Sequence, residues 1–280
     1  MDLHIQSYFE KIQFQNVAQP DYETLSQLVK LQTHFIPFEN VDAFTGTSPS
    51  LQIEHIFEKL VHQQRGGYCY EQNLLLNYVL EIIGFQKKIL LGRVLWKKAD
   101  SSLSPKTHAF IIVSLDGKDY LVDAGFGVTT PCFPVPLISN AKNMNSKSGY
   151  RIVRNETFYT LEYWNKDWFQ MYSFENEQSN VQDLEVANWY MSTNPQSGFV
   201  KNLIITRGGE NGVYTLQNNQ FKHRSQDGVV LTKLLQDPEK LIYTLRKAFN
   251  IQIEKAETYE ILIRRIFGTN QSIINNYSSI

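Results

Sequence analysis

The chain has 280 residues, of which 42% are hydrophobic and 20% are charged, the balance of an ordinary globular protein. Its 27 basic and 28 acidic residues nearly cancel, which argues against a nucleic-acid or membrane surface. Only Cys69 and Cys132 could pair, and no CxxC, HExxH, P-loop or GxGxxG motif occurs, so we predict neither a disulfide framework nor a metal site.

The first part of the chain predicts helices. Its opening, MDLHIQSYFEKIQ, lacks the apolar stretch of a secretory signal, and no apolar run approaches the ~20 residues of a membrane span, so we expect a cytoplasmic protein. The segments LHIQSYFEKI and IEHIFEKLVHQ carry apolar residues at the spacing of one helix face. EQNLLLNYVLEIIG is apolar nearly all round, which predicts a buried helix that stops at Gly84.

From about Lys88 the apolar period changes from helical to alternating. Six segments predict short strands separated by turns, as in an antiparallel sheet or small barrel: KKILLGRVLW, HAFIIVSL, KDYLVDAGFG, YRIVRN, TFYTLEYW and WFQMYSFE. The last third is mixed, with strands at NLIITRG and GVYTLQ. Helices follow at DPEKLIYTLRKAF, where Asp237 is the expected N-cap, and at ETYEILIRRIF.

Cys69 stands where the buried helix begins. The unpaired N–H groups and the dipole of a helix start favour a thiolate, and the N–H groups of Cys69 and Tyr70 could face a developing oxyanion. Gly66 and Gly67 allow another molecule to approach the backbone closely. The alternative is a buried, inert cysteine, since free cysteine is among the most buried residue types.

His108 and Asp123 are predicted to lie close together on one hairpin. If Asp116-Gly117 is a two-residue turn, Leu115 faces Lys118 and the same register sets His108 opposite Gly125. His108 and Asp123 are then diagonal neighbours, ~7–8 Å apart at the backbone and within side-chain reach. The alternative is a core histidine beside a turn-capping aspartate.

Together, a cysteine at a helix start and a His–Asp pair predict nucleophilic acyl chemistry. Histidine takes the thiol proton, and aspartate fixes the tautomer and supports the imidazolium, as in papain-like and transglutaminase-like enzymes. These residues leave the acyl acceptor open: water, an amine or a thiol.

Five ordered motifs resemble the arylamine N-acetyltransferases over nearly the whole chain: IPFENV, RGGYCYEQNLLL, THAFIIV, LVDAGFG and NWYMSTNPQSGF. The resemblance implies an α+β fold in three parts. These are an N-terminal helical bundle (1–86) with the cysteine, a central antiparallel β-barrel-like domain (87–190) with the histidine and aspartate, and a C-terminal α/β lid (191–280). The long insertion of vertebrate members between the second and third parts is not evident, so the chain resembles a bacterial-type member.

The resemblance also implies a reaction. Cys69 of a Cys69–His108–Asp123 triad would take acetyl from acetyl-CoA, release coenzyme A and pass the acetyl group to an arylamine or arylhydrazine.

By motif position the resemblance assigns further residues. Those expected to line the acceptor pocket are Phe38, Phe126 and Tyr68, where relatives often have Trp or Phe. Those expected near coenzyme A are Trp96, Thr107 and Gly125. Arg65 and Glu39 would form an ion pair that holds the RGG loop.

Two other interpretations stay open. A cysteine hydrolase or transglutaminase-like enzyme would use the same triad with water or a protein lysine as the acceptor; the motifs outside the triad argue against it. A non-catalytic binding domain would carry the triad by chance, and would show no preference for alkylation at Cys69 over Cys132.

Overall fold

The computed structural model describes residues 3–96, 104–144, 149–209 and 211–268. Helices dominate its N-terminal part: α1 (Leu3–Ile12), α2 (Tyr22–Phe35), α3 (Val41–Thr45), α4 (Ile53–Phe57), a π-helical turn (Glu58–His62) and α5 (Cys69–Ile83). Within these ranges no helix is long and apolar enough to cross a membrane.

The N-terminal helices share one apolar core. Tyr8 and Ile12 of α1, Leu28 of α2, and Leu75 and Val79 of α5 are fully buried in it. The α5 helix ends at Gly84, which takes a left-handed conformation with φ of 97°, as the sequence predicts. The segment predicted as a single helix at 53–63 instead changes from α to π geometry after Phe57, where the amide of Gln63 bonds the carbonyl of Glu58.

The middle of the chain forms an antiparallel sheet in the order β5-β4-β3-β2-β9-β8-β7-β6. Its strands are β2 (Gln86–Val94), β3 (Lys106–Leu115), β4 (Lys118–Val122), β5 (Val135–Pro136), β6 (Asn143–Met144), β7 (Gly149–Arg154), β8 (Tyr159–Trp164) and β9 (Trp168–Phe174). The sheet curls toward closure, because a bridge joins Ser139, just beyond β5, to Ile152 of β7. The interior is filled by apolar and aromatic side chains, among them Phe110, Tyr172 and Phe174. The predicted α+β fold with a barrel-like sheet is therefore confirmed.

The β3–β4 hairpin has the predicted register. Asp116 and Gly117 both have positive φ, as a type I′ turn requires, and Leu115 pairs with Lys118. The ladder stops at the pair Ile111–Val122, so the strand expected to continue through Asp123 and Gly125 ends earlier. The strand ends there because the backbone amides of Ala124 and Gly125 donate to side-chain oxygens instead of to β3.

A second antiparallel sheet follows the order β1-β10-β11-β12-β13. Its strands are β1 (Phe38–Glu39), β10 (Ile204–Gly209), β11 (Gly212–Gln217), β12 (Gln220–Arg224) and β13 (Val230–Leu234). It packs on α8 (Pro238–Ala248) and α9 (Ala256–Phe267). Asp237 caps α8 as predicted, accepting the amide of Lys240 at 2.8 Å.

Strand β1 connects the C-terminal sheet to the helical part of the chain. Phe38 pairs with Thr206 and Glu39 with Ile205, so β1 extends that sheet. The helices α6 (Val181–Thr193) and α7 (Gly198–Lys201) come between the two sheets in sequence. The proposed division at residues 86 and 190 stays a prediction, and β1 shows that the second sheet takes a strand from the N-terminal part.

Candidate active site

The RGG loop holds the start of α5 tightly against the preceding chain. A Cβ on Gly66 would stand 2.1 Å from the carbonyl oxygen of Pro37, so only glycine fits there. The Gln72 amide donates to the same carbonyl at 2.9 Å. Cys69, the first residue of α5, is 3% exposed. These contacts fix the position of the cysteine backbone.

A buried charge network supports this loop. Arg65 donates to Glu39 through Nε at 2.8 Å and to Asp42 through Nη2 at 2.7 Å, which confirms the predicted Arg65–Glu39 pair. Lys59 joins the network by bonding Asp42 and Glu71, each at 2.7 Å. Glu71 closes it by accepting the backbone amide of Tyr68 at 3.1 Å, immediately before the cysteine.

In this network buried carboxylates are paired with buried cations. Burial raises the pKa of Glu71 to about 7, with Lys59 acting against this rise. For Asp42 burial acts in the same direction, but Lys59 and Arg65 outweigh it and hold its pKa well below the ordinary range. Removal of either cation would therefore leave carboxylates buried without a partner.

Cys69, His108 and Asp123 meet in the structure. His108 Nε2 lies 2.6 Å from Asp123 Oδ2, and both side chains are buried. The Cys69 thiol lies near enough to the imidazole to add to the effect of Asp123 on the pKa of His108. The Cys69 Sγ also lies 3.9 Å from the carbonyl oxygen of Thr107.

The pair shifts both pKa values away from their ordinary ranges. Burial disfavours the charged imidazolium, but the Asp123 carboxylate and Cys69 outweigh it and raise the pKa of His108 to about 10. For Asp123, burial alone would raise the pKa, yet His108 and the amide of Gly125 lower it. The arrangement favours an imidazolium next to a carboxylate at neutral pH.

Asp123 accepts three hydrogen bonds besides that of His108. The donors are the Tyr172 hydroxyl at 3.0 Å, the Gly125 amide at 2.8 Å and Asn73 Nδ2 at 3.1 Å. Together they fix the carboxylate in one orientation toward the histidine.

Asn73 and Tyr172 are site residues that the sequence did not predict. Asn73 also donates to the carbonyl of Ala109 at 2.7 Å and accepts the Ala124 amide at 2.9 Å, which replaces the sheet bonds missing after Val122. The spacing could have indicated a role for Asn73 in the site, because this polar residue is four positions after Cys69 and lies on the same face of a largely apolar helix. No such spacing indicated Tyr172, since it is one of several aromatic residues in β9.

Gly125 packs directly on Cys69. A Cβ at this position would stand 2.5 Å from the Cys69 Cα and 3.0 Å from Asn73 Nδ2. The glycine therefore lets the chain after Asp123 approach the start of α5. Its predicted nearness to coenzyme A stays a prediction.

Aromatic rings surround the triad. The half-buried Phe126 meets the His108 ring edge-on at 5.0 Å between centroids, and Tyr172 lies 4.7 Å from the same ring. Phe38 is in the buried cluster that contains Cys69, and its ring lies 5.9 Å from that of Phe199. Phe199 ends the motif NWYMSTNPQSGF but was not predicted as a site residue, because α7 reaches the site only in the folded chain.

Tyr68 has a buried position beside these rings. Its ring packs edge-on against Tyr70 and lies 5.7 Å from Phe199. Its hydroxyl donates to Asn188 Oδ1 of α6. The hydroxyl of Tyr68 is thus bonded to α6, and its ring packs in the cluster that contains Cys69.

The residues predicted near coenzyme A lie in different surroundings. The Thr107 carbonyl accepts the Tyr70 hydroxyl at 2.7 Å, and Thr107 lines a groove of about 590 Å³ bordered by β2, β3 and α6. Trp96 packs on the barrel, with its ring 6.0 Å from Phe169 and 6.4 Å from Tyr163. No group of three His, Cys, Asp or Glu residues suited to a metal ion occurs among the residues that the structure describes.

Two backbone N–H groups stand at the start of α5. The amides of Cys69 and Tyr70 open the helix and have no acceptor in the described part of the chain. With a buried thiol, an imidazolium and these N–H groups, the site can carry out acyl transfer through a covalent intermediate.

Comparison with known proteins places this geometry in context. The sequence pattern of a family described as N-acetyltransferase matches residues 21–258. An arylamine N-acetyltransferase of Mycolicibacterium smegmatis is 38% identical over 231 residues, which cover 80% of this chain and 84% of the relative.

Solved structures show the same fold. Mycobacterium marinum arylamine N-acetyltransferase superposes with a TM-score of 0.88 at 30% identity, covering 94% of this chain and 100% of that one. A structure of the M. marinum protein in complex with CoA superposes with a TM-score of 0.86 at 30% identity and covers 94% and 98%.

Proposed function

The chain belongs to the arylamine N-acetyltransferase family, and we propose that it transfers acetyl from acetyl-CoA to arylamines and arylhydrazines through a thioester on Cys69. The observation that carries the proposal is the buried His108–Asp123 pair, which has the Cys69 thiol near its imidazole at the start of α5. Family membership narrows the acyl chemistry of that triad to an amine acceptor.

In the first half-reaction the Cys69 sulfur attacks the acetyl carbonyl while His108 holds the thiol proton. The carbonyl oxygen gains negative charge, which the amides of Cys69 and Tyr70 can stabilise. The bond from carbon to the sulfur of coenzyme A then breaks, and the imidazolium returns its proton to the leaving thiolate. Asp123 balances the imidazolium charge throughout.

In the second half-reaction the amine attacks the thioester. Its nitrogen loses a proton to the neutral His108, the bond from carbon to Cys69 breaks, and the proton passes to the cysteine sulfur. Neutral arylamines suit this step because their lone pair is available near pH 7, whereas an alkylammonium must lose its charge before it enters an apolar site.

We propose that Phe38, Tyr68 and Phe126 bind the acceptor ring. The support is their position beside Cys69 or His108, with Phe199 completing the apolar wall. We further propose that Trp96, Thr107 and Gly125 lie along the path of coenzyme A; the contact of the Thr107 carbonyl with Cys69 supports this for Thr107.

We also propose that the protein works in the cytoplasm. Both cysteines are free thiols, and catalysis needs Cys69 reduced, which a reducing compartment provides.

A comparison of the two cysteines tests the proposal. Release of coenzyme A beyond one molecule per enzyme should require both an arylamine and Cys69, so Cys69→Ala should abolish it. Cys132→Ala, the matched control at an exposed thiol, should turn over like the wild type. Turnover by Cys69→Ala would refute the assignment, and continued turnover without an amine would indicate a hydrolase.

A further inference from the structure

A second pocket lies where α2, β10, β11 and α8 meet. It has a volume of about 280 Å³ and is lined by His34 at the end of α2, Arg207 and Gly209 of β10, Tyr214 of β11 and Lys247 of α8. None of these residues takes part in the proposed acetyl transfer.

Three basic side chains lie in or near the pocket. Arg207 and Lys247 line it, and Lys11 of α1 is close enough for the Arg207 charge to affect it. Burial lowers the pKa of Lys11, and Arg207 lowers it further, as expected for neighbouring cations. Within the described ranges neither lysine nor Arg207 forms an ion pair with a carboxylate. Glu210, which follows Gly209 in sequence, lies outside those ranges.

Arg207 is held in place with donors to spare. Its Nε donates to the carbonyl of His34 at 3.3 Å and its Nη1 to the carbonyl of Ala248 at 3.4 Å. A guanidinium has five N–H donors, and the remaining three have no acceptor among the residues described. Burial disfavours the charge of Arg207 and lowers its pKa, which an anion in the pocket would reverse.

Two glycines, Gly208 and Gly209, line the pocket. A Cβ on Gly208 would be 3.8 Å from the Thr33 carbonyl, and one on Gly209 would be 3.8 Å from His34 Cε1. A small side chain would fit at either position, so packing alone does not demand glycine. The absence of side chains leaves room for a ligand against the backbone.

We propose that this pocket binds a phosphate group, carried by a phosphorylated small molecule or free in solution. A fixed guanidinium fork suits the several acceptor oxygens of phosphate, and the flexible Lys247 side chain of α8 adds a second positive charge. The volume exceeds that of a simple ion, which favours a phosphomonoester with a small organic part.

Calorimetric titration with inorganic phosphate and with AMP tests the proposal, with NaCl at equal ionic strength as the blank. Lys247→Gln and Arg207→Lys should each weaken binding by about tenfold, the loss expected when one charge-assisted contact or the guanidinium fork is removed. Arg207→Lys keeps the charge, so its effect reports the fork. Arg246→Gln is the matched control, because Arg246 is the exposed neighbour of Lys247 on α8 and does not line the pocket.

Two results would overturn the proposal: a response to phosphate and AMP no larger than the NaCl blank, or an equal loss in Arg246→Gln and Lys247→Gln. The KM for acetyl-CoA in Lys247→Gln then separates the sources of the phosphate. An unchanged KM assigns the pocket to a separate phosphorylated ligand, and a raised KM assigns it to the phosphates of coenzyme A; both results support phosphate binding.

Discussion

Asp123 is a buried carboxylate whose donors orient it toward one partner. Tyr172, Asn73 and the Gly125 amide leave His108 as its charged neighbour. A carboxylate that is fixed in this way holds the histidine in one tautomer without moving during the reaction.

Asp123→Asn should therefore affect activity much more than stability. An amide can present an N–H to the imidazole instead of an acceptor, which misplaces the proton. We expect acetylation of Cys69 to slow by at least about 10²-fold; loss of the aspartate in serine enzymes costs ~10⁴-fold, and the greater nucleophilicity of a thiol softens this. Stopped-flow release of coenzyme A measures the step, and circular dichroism checks the fold. A folded Asp123→Asn protein with wild-type acetylation would remove Asp123 from the mechanism.

The His108–Asp123 pair should make the free energy of unfolding depend on pH. The folded pKa of Asp123 is lowered, so its contribution is complete above the unfolded value of about 4 and is lost as pH falls. The folded pKa of His108 is raised to about 10, so its contribution is complete below about 6.5 and is lost as pH rises through the folded value.

The difference in unfolding free energy between wild type and Asp123→Asn should thus be greatest between about pH 4 and 6.5 and should shrink toward pH 10. Urea denaturation across this range measures it. A difference that is constant with pH would show that the two side chains do not titrate as a pair.

Phe126 offers a test of acceptor recognition at the level of one ring. Its ring packs edge-on against His108, so Phe126→Ala should weaken discrimination among aryl acceptors. Loss of ring stacking suggests an effect of roughly threefold to tenfold in kcat/KM. Acetylation of Cys69 by acetyl-CoA should be spared. The assignment fails if the donor half-reaction changes while the ranking of acceptors stays the same.

At the scale of elements, the start of α5 depends on charges that lie behind it. Arg65, which is 13% exposed, bonds two carboxylates, one of them fully buried. Arg65→Gln should lower the free energy of unfolding by about 3–5 kcal/mol, because it leaves buried carboxylates without a partner.

Lys87→Gln is the matched control for Arg65→Gln. It breaks the pair with Glu81, whose side chain is 68% exposed, and should cost about 0–1 kcal/mol. Denaturant unfolding measures both variants. Equal losses would mean that the network under the RGG loop contributes no more than a surface ion pair.

The elements that could be predicted are those with local causes. The Asp116-Gly117 turn sets the β3–β4 register, and Asp237 caps α8, because each depends on adjacent residues. The π-helical turn at 58–62 was missed, since its apolar spacing matches an α-helix. The early end of β4 was missed as well, because it depends on Asn73, which is 51 residues before Ala124.

At the scale of the whole molecule, the site is assembled from three parts of the chain. The helical part supplies Cys69, the barrel supplies His108 and Asp123, and α7 supplies Phe199. Asn40 joins the parts by donating to the carbonyls of Phe199 and Asn202 at 2.7 and 2.8 Å.

This assembly explains which site residues the sequence revealed. Cys69, His108 and Asp123 could be predicted because Cys69 starts a helix and the other two lie in or beside one hairpin, both local features. Phe199 and Tyr172 reach the site through tertiary packing, which apolar periodicity does not encode. A resemblance to family motifs can predict such a residue only where the residue lies within a motif and has a known role there.

The central claim is that an acetyl group resides on Cys69 between donor and acceptor. Mass spectrometry of the Cys132→Ala protein tests it: the protein is exposed to acetyl-CoA, freed of coenzyme A and then mixed with an arylamine. We predict one added acetyl group, mapped to Cys69, which persists in buffer and transfers in stoichiometric amount to the amine. An unmodified Cys69, or an acetyl group lost to water as fast as to the amine, would contradict the account.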